Sequence, residues 1–363
     1  MAITRIGNPA IADQRGVNFR NIIINGGMDI AQRGTSATGV TSNSYNTCDR
    51  WNTIPINLGT WTLTQSTDVP TGQGFASSFK LDCTTADASP SASDLFLLRQ
   101  KIEGQNLQYL KKGTANAQSL TMSFWVKSNK TGTYIAELFD GDNTRQISKA
   151  YTIDSASTWE KKTITFDADT TGTLDNDNAN SLAAQFWLGA GSDYSSGTLS
   201  TTWTANTNAN RAVGQVNLAD STSNEWYITG VQLEAGQVAS DFEFLPVDVN
   251  LQRCQRYYHE QGRTTTGNNY EGFCTITAYS GTASRGIFYL PTTMRSIPSF
   301  SSNGNFALIG GSAGSVTNIT LADGGGNPAV ALNISASSMT AGNGFQLRSN
   351  NDADAVFKFD AEL

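Results

Sequence analysis

Side chains suited to covalent catalysis are scarce in this chain. It holds one histidine, His259, and four cysteines, Cys48, Cys83, Cys254 and Cys274. A serine or cysteine nucleophile activated by imidazole would have to share that histidine, and no GxSxG-type turn stands near it. The expectation for His259 is therefore an exposed or interface position. The cysteines show no CxxC pair and no close histidine, which predicts reduced, mostly buried thiols rather than a metal site or a disulfide framework. Asp140 and Asp142 in FDGDN stand too close along the chain to flank a glycosidic bond and read as turn formers. Their oxygens suit calcium, but EF-hand spacing is missing. LIGGSAG and ADGGGNP lack a following Lys-Ser/Thr and read as turns, not phosphate cradles. No catalytic residue, metal ligand or cofactor is expected, and the chain does not read as an enzyme.

Aromatic residues offer more. In LTMSFWVKS (120–128), alternation puts Met122, Phe124 and Val126 on one face and Ser123, Trp125 and Lys127 on the other. A tryptophan on the polar face can stack on the apolar side of a pyranose while neighbouring polar groups meet its hydroxyls. Trp125, Lys127, Trp51, Trp61 and Trp203 are the candidate carbohydrate-binding residues, with Trp187 similarly distributed. The competing reading of each tryptophan is a sandwich core.

Positioning them falls to β structure. Only 15% of residues are charged and Gly numbers 34, a mix that suits short strands and turns better than helices. Strand signals recur at TWTLTQS (60–66), FASSFKLDC (75–83), TYIAELFD (133–140), WEKKTITFDAD (159–169), AAQFWLGAG (183–191) and EWYITGVQLEAG (225–236). A hairpin tip is expected at Gly141-Asp142-Asn143. In the last strand, alternation sets Tyr227, Thr229, Val231 and Leu233 against Trp226, Ile228, Gly230, Gln232 and Glu234. Without crossover helices these strands predict an antiparallel jelly-roll β-sandwich over 21–245. A short helix is expected at 104–112, capped by Gly113. Residues 246–262 form a linker and helix, with Leu251, Cys254, Tyr257 and Tyr258 as its stripe. Residues 263–363 have no tryptophan and read as a second, smaller β-sandwich for oligomerisation or outer contact, and 1–20 as an N-terminal arm.

A net charge of −7 and a pI near 4.8 argue against nucleic acid and against a polybasic membrane patch. No run approaches the ~18 apolar residues of a spanning helix, so no membrane insertion is expected. Arg5, Asp13, Arg15 and Arg20 stand where a signal peptide would be apolar, which predicts a protein made and kept in a cytoplasm, or one that leaves by a route other than secretion.

Four ordered blocks resemble a family of bacteriophage virion proteins. They are INGGMDIAQRG (24–34) with DRW (49–51), SFWVKSNKTGTY (123–134), SASTWEKKTITF (155–166), and YITGVQLEAGQVASDFEF (227–244) followed by CQRYY (254–258). Such proteins are common among tail-fibre and other appendage proteins, and their central region resembles a carbohydrate-binding jelly roll. The resemblance covers about residues 20–260 and transfers no site residues. It implies a non-enzymatic virion component, made in the host bacterial cytoplasm and trimeric. Its partners would be other virion proteins, its own copies and a host-surface glycan. A tail-fibre or tail-associated role in host attachment is the leading expectation, and a capsid decoration or head-fibre role the alternative. A depolymerase would be expected to show the repeats of a long parallel β-helix, which are not seen.

Overall fold

The computed structural model describes residues 19–263, 269–310, 315–322 and 326–363; residues 1–18 of the expected arm lie outside them. The described chain is nearly all β and divides into two compact units. The first takes the chain up to Met28, Thr38–Ser44 and Asn52–Leu245, and the second takes Asp29–Ala37, Tyr45–Trp51 and Pro246–Leu363. Two short segments expected in the jelly roll thus belong to the second unit, drawn there by a buried arginine network.

Two six-stranded sheets organise the first unit. One has the order β1 (Ser36–Val40), β3 (Thr60–Ser66), β4 (Ser78–Thr85), β12 (Glu225–Ala235), β6 (Leu120–Ser128), β9 (Glu160–Phe166). The other has the order β11 (Thr204–Ala205), β8 (Arg145–Ile153), β7 (Gly132–Asp140), β10 (Asn180–Ala190), β5 (Leu95–Glu103), β2 (Asn52–Ile56). Consecutive strands pair only at β3–β4 and β7–β8, so the chain keeps switching sheets, as a jelly roll requires. The β7–β8 hairpin turns between Asp140 and Arg145 around the expected tip. Between the sheets Trp61 packs on Phe96 at 4.2 Å, and Phe124 meets Phe186 at 5.0 Å and Tyr151 at 5.1 Å between ring centroids. Each such ring removes ~150–250 Å² from water, so these contacts dominate the core.

Strand β12 departs from simple alternation. Thr229 stands opposite Trp125 and Gln232 opposite Ser123, so the strand bulges between them, and Gly230 adopts φ 62°. A Cβ on Gly230 would stand 2.5 Å from the Phe75 ring, which leaves glycine as the residue that fits. The bulge moves Leu233 onto the core face with Trp226 and Ile228, while Gln232 and Glu234 join Tyr227 and Thr229 outside. Glu234 then fastens the segment that follows: its carboxylate accepts from the Ser240 amide at 2.8 Å and the Ser240 hydroxyl at 2.7 Å. Glu243 holds the Phe19 and Asn21 amides at 2.7 and 2.9 Å.

The helix expected at 104–112 is instead two 3-10 turns, Gly104–Asn106 and Gln108–Leu110, closed by left-handed Lys111 rather than Gly113. Tertiary partners explain the difference. The Gly104 and Gln105 amides donate to Ala179 and Asp177 carbonyls, and the Gln108 side chain donates to the carbonyls of Gly104, Leu174 and Asp175.

The second unit is the smaller sandwich. A three-stranded sheet runs β13 (Tyr258–Gly262), β21 (Val356–Asp360), β16 (Ser299–Asn303). A six-stranded sheet runs β17 (Phe306–Ile309), β20 (Gly344–Ser349), β14 (Gly272–Ala278), β15 (Ala283–Tyr289), β19 (Ala329–Ala336), β18 (Val316–Leu321). Phe288, Phe306, Phe345, Phe357 and Phe359 lie in their shared core. The helix α1 spans Val247–Gln255 and is shorter than expected, because Tyr258–Gly262 leaves it to pair with β21. That pairing also overturns the exposed position expected for His259, which is buried and stacked 6.1 Å from Phe359.

Arginines hold three distant segments together within this unit. The Arg50 guanidinium, 1% exposed, lies 3.4 Å over Tyr257 and is ion-paired with Glu362. Arg33 lies 3.6 Å over Tyr258 and meets Asp360 at 3.2 Å, Glu362 at 3.3 Å and Asp49 at 3.9 Å. Burial pushes the Asp49 carboxyl up to about 6, against the pull of Gln32 and Arg33.

Candidate functional site

The outer face of the β1-β3-β4-β12-β6-β9 sheet gathers the aromatic and charged groups that sequence pointed to. On β6, Trp125 stands between Lys161 of β9 and Thr229 of β12, and Lys127 stands opposite Tyr227. Tyr227 in turn faces Lys80 of β4. Directly opposed residues share a face, so the register alone places these side chains together.

Lys127 is enclosed by rings. Its ammonium lies 4.2 Å from the Tyr227 centroid and 5.5 Å from that of Trp159, and it is ion-paired with Asp68. Trp159 donates its indole N–H to Asp68 at 2.9 Å and meets Tyr227 edge-on at 6.1 Å. Partial burial alone would raise the Asp68 carboxyl, but hydrogen bonds from Lys127 and Trp159 hold it below its ordinary value. Glu225 accepts from the Tyr227 hydroxyl at 2.9 Å and lies 2.8 Å from the Lys80 ammonium. Burial, then the Glu225 carboxylate, push the Tyr227 phenol up to about 12, so it remains a neutral donor. The arrangement sets the half-buried Trp159 ring against a fixed cation and its carboxylate, with half-buried Trp125 two residues along β6 on the same face. Such a face can bind by stacking and hydrogen bonding, and it holds no activated nucleophile.

The other expected platform residues separate from it. Trp51 and Trp61 are fully buried, which corrects their assignment to an external surface: Trp61 is packed on Phe96 with its N–H on the Leu58 carbonyl at 2.8 Å. Trp187 is likewise buried, its N–H given to Glu137 at 2.8 Å. Trp203 is half-buried but precedes β11 on the other sheet, where it donates to the Asp167 carbonyl at 2.8 Å and lies 4.9 Å from the Lys112 ammonium. Trp159 and Tyr227 were missed as binding candidates. Tyr227 had a signal in the alternation of EWYITG, whereas Trp159 precedes its strand and no periodicity places it. Among the described residues, no group of three or more His, Cys, Asp or Glu is placed to hold a metal.

No family model and no curated protein matches the chain. Solved structures give distant likenesses. The enzymatically active domain of tailspike protein 4 of bacteriophage CBA120 is 14% identical with a TM-score of 0.31, covering 60% of this chain and 21% of its own. A CBM4 structure is 14% identical over 58% of this chain and 97% of its own, TM-score 0.31. A putative sugar binding protein from Bacteroides thetaiotaomicron is 13% identical over 59% and 99%, TM-score 0.34. The chain thus spans about a fifth of that tailspike domain. At such identities and TM-scores the likeness reaches neither site residues nor ligands, and the jelly roll rests on the strand order itself.

Proposed function

We propose that this chain is a non-enzymatic structural component of a bacteriophage virion, of the tail-fibre or tail-associated kind, that contributes to host-surface glycan recognition. The observation that carries the binding reading is the Trp125, Trp159, Tyr227 and Lys127 cluster on one sheet face. The virion reading is supported by the four ordered sequence blocks, and with it come other virion proteins and two further copies of the chain, as a homotrimer, as partners. The test is a glycan array followed by host-cell adsorption with the full chain and its Trp125→Ala and Trp159→Ala variants. Each substitution should weaken binding ~10-fold, equivalent to about 1.4 kcal/mol. Full retention of glycan and cell binding by both variants refutes the site. Immunogold labelling on the virion tail supports the placement, and labelling on capsid facets refutes it.

A purely structural capsid decoration or head-fibre role is the competing reading. The observation on its side is that the charges on this face are paired internally, Lys127 with Asp68 and Lys80 with Glu225.

A further inference from the structure

The six strands of the larger sheet in the second unit contain no aspartate or glutamate, in a chain that is acidic overall. Their alternation is regular: Ser284, Gly286 and Phe288 of β15 are buried, and Arg285, Ile287 and Tyr289 between them are exposed. Register sets Arg285 opposite Thr277 and Asn333, Thr277 opposite Gly344, and Gln346 opposite Thr275 and Ile309. Gly344 occupies an outward position and leaves the sheet bare there. An open depression of about 580 Å³ results, lined by Thr275, Thr277, Arg285, Tyr289, Gln346 and Ile309 among others. That size falls within the range of small-ligand sites.

Three features of the lining narrow the occupant. Arg285 is the one ionisable group of fixed charge in it, and among the described residues no carboxylate lies within salt-bridge distance of Arg285. Its Nε is held 3.1 Å from Asn333 Oδ1, which orients the guanidinium and leaves its other donors open. Tyr289 is 74% and Ile287 44% exposed, so an apolar ligand surface can lie against them. Thr275, Thr277 and Gln346 supply neutral donors and acceptors. Carboxylate, apolar ring face and hydroxyls together describe an acidic sugar. A second copy docking two-fold by this same face would set arginine against arginine, which disfavours that occupant.

We propose that this face is a second ligand site, distinct from the jelly-roll face, for an oligosaccharide bearing carboxylates: Arg285 takes the carboxylate, Tyr289 the ring face, and Thr275, Thr277 and Gln346 the hydroxyls. The proposal does not depend on the jelly-roll cluster.

Affinity electrophoresis of the full chain in gels containing polygalacturonate, dextran or polyglutamate tests it. Polygalacturonate should retard the protein, and neutral dextran and the ring-free polyglutamate should not. Arg285→Gln should weaken the interaction about tenfold or more, as expected for losing a charge-assisted hydrogen bond. Gly344→Phe should weaken it similarly by filling the depression, since a Cβ there meets nothing closer than the Ile276 carbonyl oxygen at 3.9 Å. The Trp125→Ala, Trp159→Ala double variant should keep the retardation. The proposal is overturned if the wild type is not retarded, if dextran or polyglutamate retards it equally, if both second-unit variants behave as wild type, or if the tryptophan variant loses the effect. A smaller sedimenting species for Gly344→Phe without ligand would assign the face to a second copy, and would overturn it too.

Discussion

Replacing Glu362 by Gln removes the carboxylate that Arg50 and Arg33 share while keeping the side chain's shape. Arg33 retains Asp360 at 3.2 Å, so the loss falls mainly on Arg50, which is 1% exposed. Breaking one side of a buried pair costs ~3–5 kcal/mol, because the remaining charge stays desolvated. The Tyr257 ring, 3.4 Å from the guanidinium, remains and keeps the loss near the lower end, about 3 kcal/mol. That is a large share of the ~5–15 kcal/mol that typically holds a domain together. Because the chain has two units, a single unfolding free energy is not a suitable readout. Hydrogen exchange in a urea series resolves them, with peptides from Val356–Asp360 reporting the second unit and peptides from Leu120–Ser128 the first. Only the second-unit peptides should lose protection at lower urea. The Arg50→Met, Glu362→Leu double variant should recover most of the loss, since an apolar pair of similar volume carries no desolvation cost. A loss below ~1 kcal/mol for Glu362→Gln, or an equal loss in both units, refutes the reasoning.

Two further outcomes follow from single positions. Gly230→Ala combines a left-handed backbone with a 2.5 Å approach to Phe75, and should cost the first unit ~1–3 kcal/mol in thermal unfolding; a change within ~0.5 kcal/mol contradicts the bulge geometry. In the second unit, burial pushes His259 down to about 4 and Asp49 up to about 6. Asp49 binds its proton more tightly folded than unfolded, so its contribution to stability falls as pH rises from about 4 to about 6; His259 binds its proton more weakly folded, so its contribution rises from about 4 to about 6.5. The two oppose each other, so their combined contribution to the second unit's stability should be nearly flat over pH 4 to 6. His259→Phe should expose the Asp49 slope, a fall of about 3 kcal/mol across that window, measured by urea unfolding at stepped pH. A rise with pH in that variant would refute the assignment.

Local period explains what sequence could place. LTMSFWVKS has a side-chain period of two, so Trp125 and Lys127 were placed opposite Met122, Phe124 and Val126 without knowledge of any partner strand. The same rule applied to TWTLTQS puts Trp61 with Leu63 and the threonines opposite, which is a core signal and agrees with the competing core reading of Trp61; both residues are fully buried. What depends on distant pairing was not legible. Tyr258–Gly262 continues a helical stripe locally, but its register is set by Val356–Asp360, close to a hundred residues on. In the β12 bulge Phe75 leaves no room for a Cβ at Gly230, a close approach that no reading of β12 alone contains.

The first and last of the four sequence blocks also acquire a physical reason to occur together. QRG supplies Arg33, DRW supplies Asp49 and Arg50, and CQRYY supplies the two rings on which the arginines lie. The arginines alone would be unfavourable, because a buried guanidinium without a carboxylate is costly. Together they close on Asp360 and Glu362, which lie beyond the reach of the sequence resemblance. The resemblance therefore ends in mid-network. In this chain it is the acidic end of the last strand, Asp360 and Glu362, that completes the network of the two arginines.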